Sequence, residues 1–323
     1  MRAVVCKQWG PPESLTVEEL PDLSADAGQV VIDVKAASVN FPDLLIIQNQ
    51  YQFKPPLPFT PGGEVAGVVR EVGEGVRDVA PGDRVLATTG WGGFAQQVKT
   101  GVGGAVRIPD EMRFEDAASL LMTYGTSHYA LKDRAAVQPG ETLLVLGAAG
   151  GVGLSAVELG KAMGARVIAA ASSDEKLAVC KEKGADELIN YSREDLKERT
   201  KQLTGGQGAN VVYDPVGGDF AEAALRATAW EGRYLVIGFT AGIPRIPLNL
   251  VLLKGCQVVG VFWGSFTGRE PEKNRSNTDE LLSWCVSGRI KPHVSGRFPL
   301  EEVAQALNDM GARKVTGKVV LIP

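Results

Sequence analysis

The stretch ETLLVLGAAGGVGLSAVELGKAMG, residues 141–164, runs from aliphatic residues through a glycine-rich turn into an amphipathic segment. Leu143 to Leu146 carry no polar side chain, the pattern of a strand buried on both faces, and Leu154, Val157, Leu159 and Met163 form the apolar stripe of a following helix. Between them Ala148, Gly150 and Gly153 have the spacing A-x-G-x-x-G. Lacking Cβ atoms, Gly150 and Gly151 let backbone N–H groups approach a pyrophosphate at the positive end of the helix, and Gly153 lets helix and strand pack closely. Gly150, Gly151 and Val152 are thus the expected cradle of a dinucleotide. Glycine-rich turns also arise from backbone need alone; here the strand-turn-helix setting supports the nucleotide reading.

The next strand, 166–171, ends about twenty residues beyond the turn, where NAD-specific sites carry an acid for the ribose 2′-hydroxyl. Here the chain reads AAASSDEK, with Ser172 and Ser173 at the strand end and Lys176 one helical turn on. Hydroxyls and an ammonium suit a 2′-phosphate that a carboxylate would repel, so the expected cofactor is NADPH. In the alternative, a serine caps the next helix and Lys176 is solvated surface. Asp174 and Glu175 then fall in a first helical turn, where acids are favoured anyway.

At 323 residues the chain exceeds the usual length of one domain, so two are expected. A net charge of -4 without a basic block argues against a nucleic-acid partner. No apolar run approaches membrane-spanning length and the first residues do not read as a leader, so a cytoplasmic protein is expected. Cys6, Cys180, Cys256 and Cys285 are far apart, the pattern of reduced core residues rather than a disulfide framework.

To about Pro109, β-branched runs at 29–36, 65–72, 84–88 and 94–99 alternate with Gly and Pro turns, an all-β pattern. From 142 to about 263 strands alternate with helices, predicting an α/β, doubly wound parallel sheet. Segments 278–286 and 301–310 read as helices, 268–277 (GREPEKNRSN) as an exposed polar loop, and 318–322 as a strand returning to the β domain.

The ordered set VNFPDLL (39–45), PFTPGGEVAGVVREVGEGV (58–76), PGDRV (81–85), GAAGGVG (147–153), INYSREDL (189–196), VVYDPVGG (211–218) and the LIP ending resembles the zinc-independent quinone oxidoreductases. This is the ζ-crystallin-like group of the medium-chain dehydrogenase/reductase superfamily, and the resemblance spans essentially the whole chain. It implies a GroES-like catalytic domain from 1–122 completed by 265–323, a Rossmann domain at 123–264, a homodimer and NADPH as cofactor. Zinc-dependent relatives hold their metal in the segments matching VKAASVN and PGGE, where this chain has Asn40 and Gly63, with a third ligand near Thr123. With only His128 and His293 in the chain, no metal is expected.

Without a Lewis acid, alcohol oxidation is disfavoured, leaving electron-poor acceptors: a quinone, or an enone taking hydride at its β-carbon. Positioning nicotinamide C4 against such an acceptor then supplies most of the acceleration. The resemblance implies catalytic or pocket roles for Asn40, Tyr51 and Thr126. Asn40 meets ribose or a substrate oxygen, or else closes a turn. Tyr51 orients or protonates the acceptor, or else packs as an aromatic. Thr126 lies beside the nicotinamide, or else bonds its own helix. Asp43 and Glu64 resemble residues that support the former metal site. Tyr191 and Arg313 join Ser172, Ser173 and Lys176 at the 2′-phosphate; in the alternatives, Lys314 or Lys318 takes the place of Arg313, or the cluster is solvated surface. Val216, Gly238, Phe239, Phe262 and Trp263, at the ends of later strands, are expected to touch the cofactor, or else Gly238 serves only its turn and Phe262 and Trp263 are buried at a dimer contact. An NADPH:quinone reductase is the reading. An enoyl reductase is the rival within the class, and a nucleotide-binding structural or regulatory protein the rival outside it.

Overall fold

The computed structural model describes residues 1–101 and 103–323 and divides into two compact units, Met1–Met122 with Lys291–Pro323 and Thr123–Ile290. In the first, β1 (Arg2–Val5) pairs antiparallel with β2 (Thr16–Glu19). The long β3 (Gln29–Val39) leads into the helix Phe41–Ile47, and β4 (Glu64–Val72), β5 (Arg84–Thr88), β6 (Gln97–Gly101) and β7 (Ala105–Arg107) follow. β4 crosses β3 closely because Gly67 faces it: a Cβ there would stand 2.1 Å from the carbonyl oxygen of Asp33. Val30, Ile32, Val65, Val69, Val85 and Phe94 fill the core of this unit.

The second unit is built on six parallel strands. They are β8 (Thr142–Val145), β9 (Arg166–Ala171), β10 (Glu187–Asn190), β11 (Ala209–Asp214), β12 (Thr228–Val236) and β13 (Gln257–Gly260). They lie in the order β10-β9-β8-β11-β12-β13, the arrangement of a Rossmann-type doubly wound sheet, whose direction of winding reverses beside β8. Leu143, Leu144, Val145, Val167, Ile168 and Val212 are fully buried, as strands covered on both faces require.

The chain rejoins the first unit with β14 (Val294–Pro299) and β15 (Lys318–Ile322). The sheet there runs β14-β15-β3-β4-β5-β7, with β6 also on β3. β15 is antiparallel to β3, pairing Val319 with Val39, which sets Lys318 beside Asn40.

One expectation fails on local grounds. Residues 268–277 are not a loop; apart from Glu270 they lie in the helices Trp263–Arg269 and Pro271–Val286. Pro271 is pre-set for a helical first turn. The polar side chains that suggested a loop bond sideways: Asn277 Nδ2 donates to Asp133 Oδ2 at 2.7 Å, and Lys273 Nζ lies 3.1 Å from Asp133 Oδ1. Those bonds hold residues 265–290 in the second unit, so the chain returns to the first at Lys291 rather than at 265. Among the described residues no helix is long and apolar enough to cross a membrane.

Candidate functional site

Immediately after β8, the backbone must turn sharply to enter the helix Gly151–Ala162. Gly147 takes φ +55°, and a Cβ on it would lie 2.9 Å from Val216 Cγ2. Gly150, extended at φ -75° and ψ 171°, is the residue from which the helix starts. A Cβ on Gly153 would stand 2.2 Å from the carbonyl oxygen of Gly147, so glycine alone fits the crossing of helix and turn. The first-turn N–H groups of Gly151, Val152 and Gly153 have no helical carbonyl before them, the geometry in which an anion is held.

A buried hydroxyl knot fixes the segment beside this turn. Ser127 Oγ lies 2.9 Å from the carbonyl oxygen of Val152, 2.8 Å from Ser155 Oγ and 2.7 Å from Tyr213 Oη. Ser155 Oγ donates onward to the Thr123 carbonyl at 3.1 Å. Thr126, half-buried, is thereby tied to the glycine turn through its neighbour. Residues 121–125 and 129–134 are wound as π-helix, a form frequent at functional sites. Trp263 is buried over Gly125, where a Cβ would meet its indole at 2.9 Å. Sequence reasoning missed this knot, because isolated serines carry no spacing signal.

At the carboxyl end of β9, Ser173 is the N-cap of the helix Asp174–Glu182, its Oγ accepting the Lys176 N–H at 3.4 Å. The capping alternative therefore holds for Ser173. Ser172 is exposed, and Lys176 Nζ donates to its Oγ at 3.3 Å. Tyr191 follows β10, its N–H donating to the Ala171 carbonyl at 3.1 Å and its ring packed 4.7 Å from that of Phe220. Ser172, Ser173, Lys176 and Tyr191 are thus gathered at one strand end. Arg313 belongs to the first unit, exposed just past the helix Val303–Gly311 with φ +57°.

The ends of β11, β12 and β13 close the row. Asp214 accepts the N–H groups of Val216 (2.7 Å) and Gly217 (2.9 Å) on Oδ1 and the Tyr234 hydroxyl on Oδ2. This fixes Val216 beside Gly147. Gly238 donates its N–H to the Asp214 carbonyl at 3.4 Å, and the side chains of Phe239 and Phe262 are exposed. His128 is a buried tie: its Nε2 lies 3.0 Å from Glu280 Oε2, and burial pushes its pKa down.

In the first unit, Asn40, Asp43, Glu64 and Lys318 form one buried polar cluster. The Asn40 N–H donates to Asp43 Oδ2 at 2.8 Å, closing the start of the helix Phe41–Ile47. Asn40 Nδ2 donates to Glu64 Oε2 at 3.1 Å and to the Ser38 carbonyl at 3.3 Å. Its Oδ1 accepts from Lys318 Nζ, which also donates to the Val39 carbonyl at 3.0 Å. Glu64 Oε1 takes the Met122 N–H at 2.8 Å. The side chain of Asn40 is therefore engaged on both of its polar atoms within the cluster. From sequence Lys318 reads as a stand-in for Arg313 at the 2′-phosphate or as solvated surface; its register opposite Asn40 places it in this buried cluster instead.

Electrostatics in this cluster follow from burial. Desolvation raises the Asp43 carboxyl to about 7 and pushes Glu64 up, while the Lys318 ammonium opposes both shifts. Two carboxyls facing one ammonium reach neutrality when one proton stays bound. Tyr51, partly buried against the core and 5.8 Å from the Phe53 ring, has its phenol pushed up, first by burial and then by Asp43. Among the described residues no group of three or more His, Cys, Asp or Glu side chains is placed to hold a metal ion.

Two family descriptions match the chain, "Alcohol dehydrogenase GroES-like domain" over residues 26–110 and "Zinc-binding dehydrogenase" over 151–284. Quinone oxidoreductase-like protein 2 of Rattus norvegicus is 42% identical over 322 residues, 99% of this chain and 91% of that protein. The human synaptic vesicle membrane protein VAT-1 homolog is 32% identical, covering 100% of this chain and 86% of the relative. The crystal structure of Escherichia coli quinone oxidoreductase complexed with NADPH superposes with a TM-score of 0.93 at 31% identity, over 100% of both chains. With its turn, its strand order and its likeness along the whole length, the chain belongs to the quinone oxidoreductase family of the medium-chain dehydrogenase/reductase superfamily.

Proposed function

We propose that this protein is an NADPH-dependent oxidoreductase that reduces quinones without a metal. The observation that carries the reading is the carboxyl end of β9, where hydroxyls and an ammonium gather beside a glycine turn shaped for a pyrophosphate. The cofactor-complexed relative supports the choice of NADPH. When bound, the dihydronicotinamide supplies a hydride from C4, and one proton completes the hydroquinone. The chain's own residues do the rest. Gly150, Gly151 and Val152 receive the pyrophosphate; Ser172, Ser173, Lys176 and Tyr191 receive the 2′-phosphate. Val216, Gly238, Phe239, Phe262, Trp263 and Thr126 orient the nicotinamide half. Asn40, with both polar atoms engaged, serves by fixing the loop before the helix Phe41–Ile47. Tyr51 keeps its phenolic proton and is the candidate to orient a quinone oxygen. Because positioning dominates, Tyr51→Phe should lower turnover less than about tenfold.

The proposal includes a homodimer in a reducing, cytoplasmic compartment, in keeping with four free cysteines. β13 is a sheet edge, and Leu248, Leu252, Leu253 and Val258 beside it are exposed, so a second copy pairing there would cover them. Light scattering should give twice the chain mass, and Val258→Lys with Leu252→Glu should halve it.

The test is NADPH oxidation, with NADH as control, against benzoquinones, naphthoquinones, enones and enoyl thioesters. Rapid oxidation by quinones with little by the enoyl compounds is expected. Preferential enoyl reduction would replace quinone by enone as the substrate. NADPH binding without turnover would favour a nucleotide-binding structural or regulatory protein.

A further inference from the structure

The strand end assigned to the 2′-phosphate contains a group of the wrong sign. Asp174 follows Ser173 directly and opens the helix Asp174–Glu182, and hydrogen bonds from Asn190 and Arg193 hold its carboxyl below the ordinary aspartate range, so it is anionic at neutral pH. A carboxylate among Ser172, Lys176 and Tyr191 would oppose a phosphate. It is closely held, however. Arg193 places Nη1 at 2.8 Å from Oδ2 and Nη2 at 2.8 Å from Oδ1, a bidentate fork, and Asn190 Nδ2 donates to Oδ1 at 2.9 Å.

The turn that delivers Arg193 is itself prebuilt. The N–H groups of Arg193 and Glu194 donate to the Asn190 carbonyl at 3.1 and 2.9 Å, and the Ser192 N–H donates to Asn190 Oδ1 at 3.2 Å. Asn190 N–H in turn donates to Glu194 Oε1 at 2.8 Å, and Ser192 Oγ ties the turn to the Ser172 carbonyl at 2.8 Å. The guanidinium is therefore aimed at Asp174 by the same turn that carries Tyr191.

We propose that the Asp174–Arg193 pair, held by Asn190, is a specificity element of the cofactor site: Arg193 masks a carboxylate that would otherwise turn away the 2′-phosphate. The inference rests on the NADPH reading above. Counting Lys176, Arg193 and Asp174, the rim carries one net positive charge. Without Arg193 it carries none, and without Asp174 it carries two. Arg193 acts through Asp174 and so is a positioning residue, distinct from the groups assigned to touch the phosphate.

The test is a double-mutant cycle on the full-length protein, reading Kd for NADPH and for NADH by fluorescence titration at low and at high salt. Arg193→Gln should weaken NADPH roughly tenfold at low salt and leave NADH unchanged, the size expected for a like charge close to a phosphate in water. Asp174→Asn should tighten NADPH, and the double variant should return close to wild type. High salt should shrink each difference. An unchanged NADPH Kd in Arg193→Gln overturns the proposal. So does a double variant as weak as Arg193→Gln, which would mean that the guanidinium binds the phosphate itself. Lys176→Ala keeps the two levels apart: if wild type shows no preference for NADPH and Lys176→Ala changes neither Kd, the cofactor reading falls and this inference with it.

Discussion

Lys318, Asp43 and Glu64 in the first unit are 4%, 2% and 1% exposed, whereas Arg193 and Asp174 in the second keep 62% and 57% of their side chains in water. Both clusters join a carboxylate, a base and an asparagine through hydrogen bonds. Water decides what each is worth. In the buried cluster every charge has lost its hydration, so taking away a partner leaves an uncompensated ion in the core. In the exposed one, solvent replaces a lost partner at little cost, and the charges matter mainly to a ligand that arrives beside them. The first cluster should therefore govern stability, and the second affinity.

Lys318→Met gives the largest effect on this view. It leaves Asp43 and Glu64 facing each other in the core, and should cost about 3–5 kcal/mol in denaturant or thermal unfolding. Lys318→Arg should recover part of that loss. A cost below about 1 kcal/mol would erase the contrast between the clusters.

Gly153→Val tests the part of the second unit where sterics, not charge, are in command. Its Cβ would enter the contact with the Gly147 carbonyl at 2.2 Å. It should destabilise by roughly 1–3 kcal/mol and abolish measurable NADPH binding.

A smaller, pH-dependent effect comes from Asp43, raised to about 7 by burial among Glu64, Lys318 and Tyr51. A raised carboxyl binds its proton better folded than unfolded. Its contribution is complete below the ordinary aspartate value of 3.8 and is lost as pH rises through about 7. Wild-type Tm should fall between pH 5 and pH 8, and Asp43→Asn should flatten that slope.

The smallest effect on stability belongs to the exposed end. Lys176→Ala should move unfolding by no more than about 0.5 kcal/mol, yet erode the preference for NADPH over NADH about tenfold at low salt. A large loss of stability with an unchanged preference would reverse the roles of the two regions.

The doubly wound sheet was legible because its information is local: Leu143–Leu146 is an unbroken apolar run, and Gly153 sits where a Cβ would strike the Gly147 carbonyl oxygen. The placement of Ser172 and Lys176 just past β9 was legible for the same reason. Asn40 was visible as a position, with turn closure one of its two readings, but its buried partners were not, because Glu64 and Lys318 lie 24 and 278 residues away. Lys318 read as a phosphate-side or solvated lysine, since nothing local shows its burial until β15 is laid against β3. The polarity of 268–277 misled for a related cause. Asn277 and Lys273 look solvent-seeking until Asp133 is brought to them.

The most direct test of the central claim, metal-free hydride transfer from NADPH to a quinone, is stopped-flow turnover with NADPH and its C4-deuterated form. The protein should first be stripped by chelator and assayed for zinc. Full activity at substoichiometric zinc, a primary deuterium isotope effect and hydroquinone as product are expected. Activity lost with the chelator and restored by zinc, or quinone reduction insensitive to deuterium at C4, would contradict it.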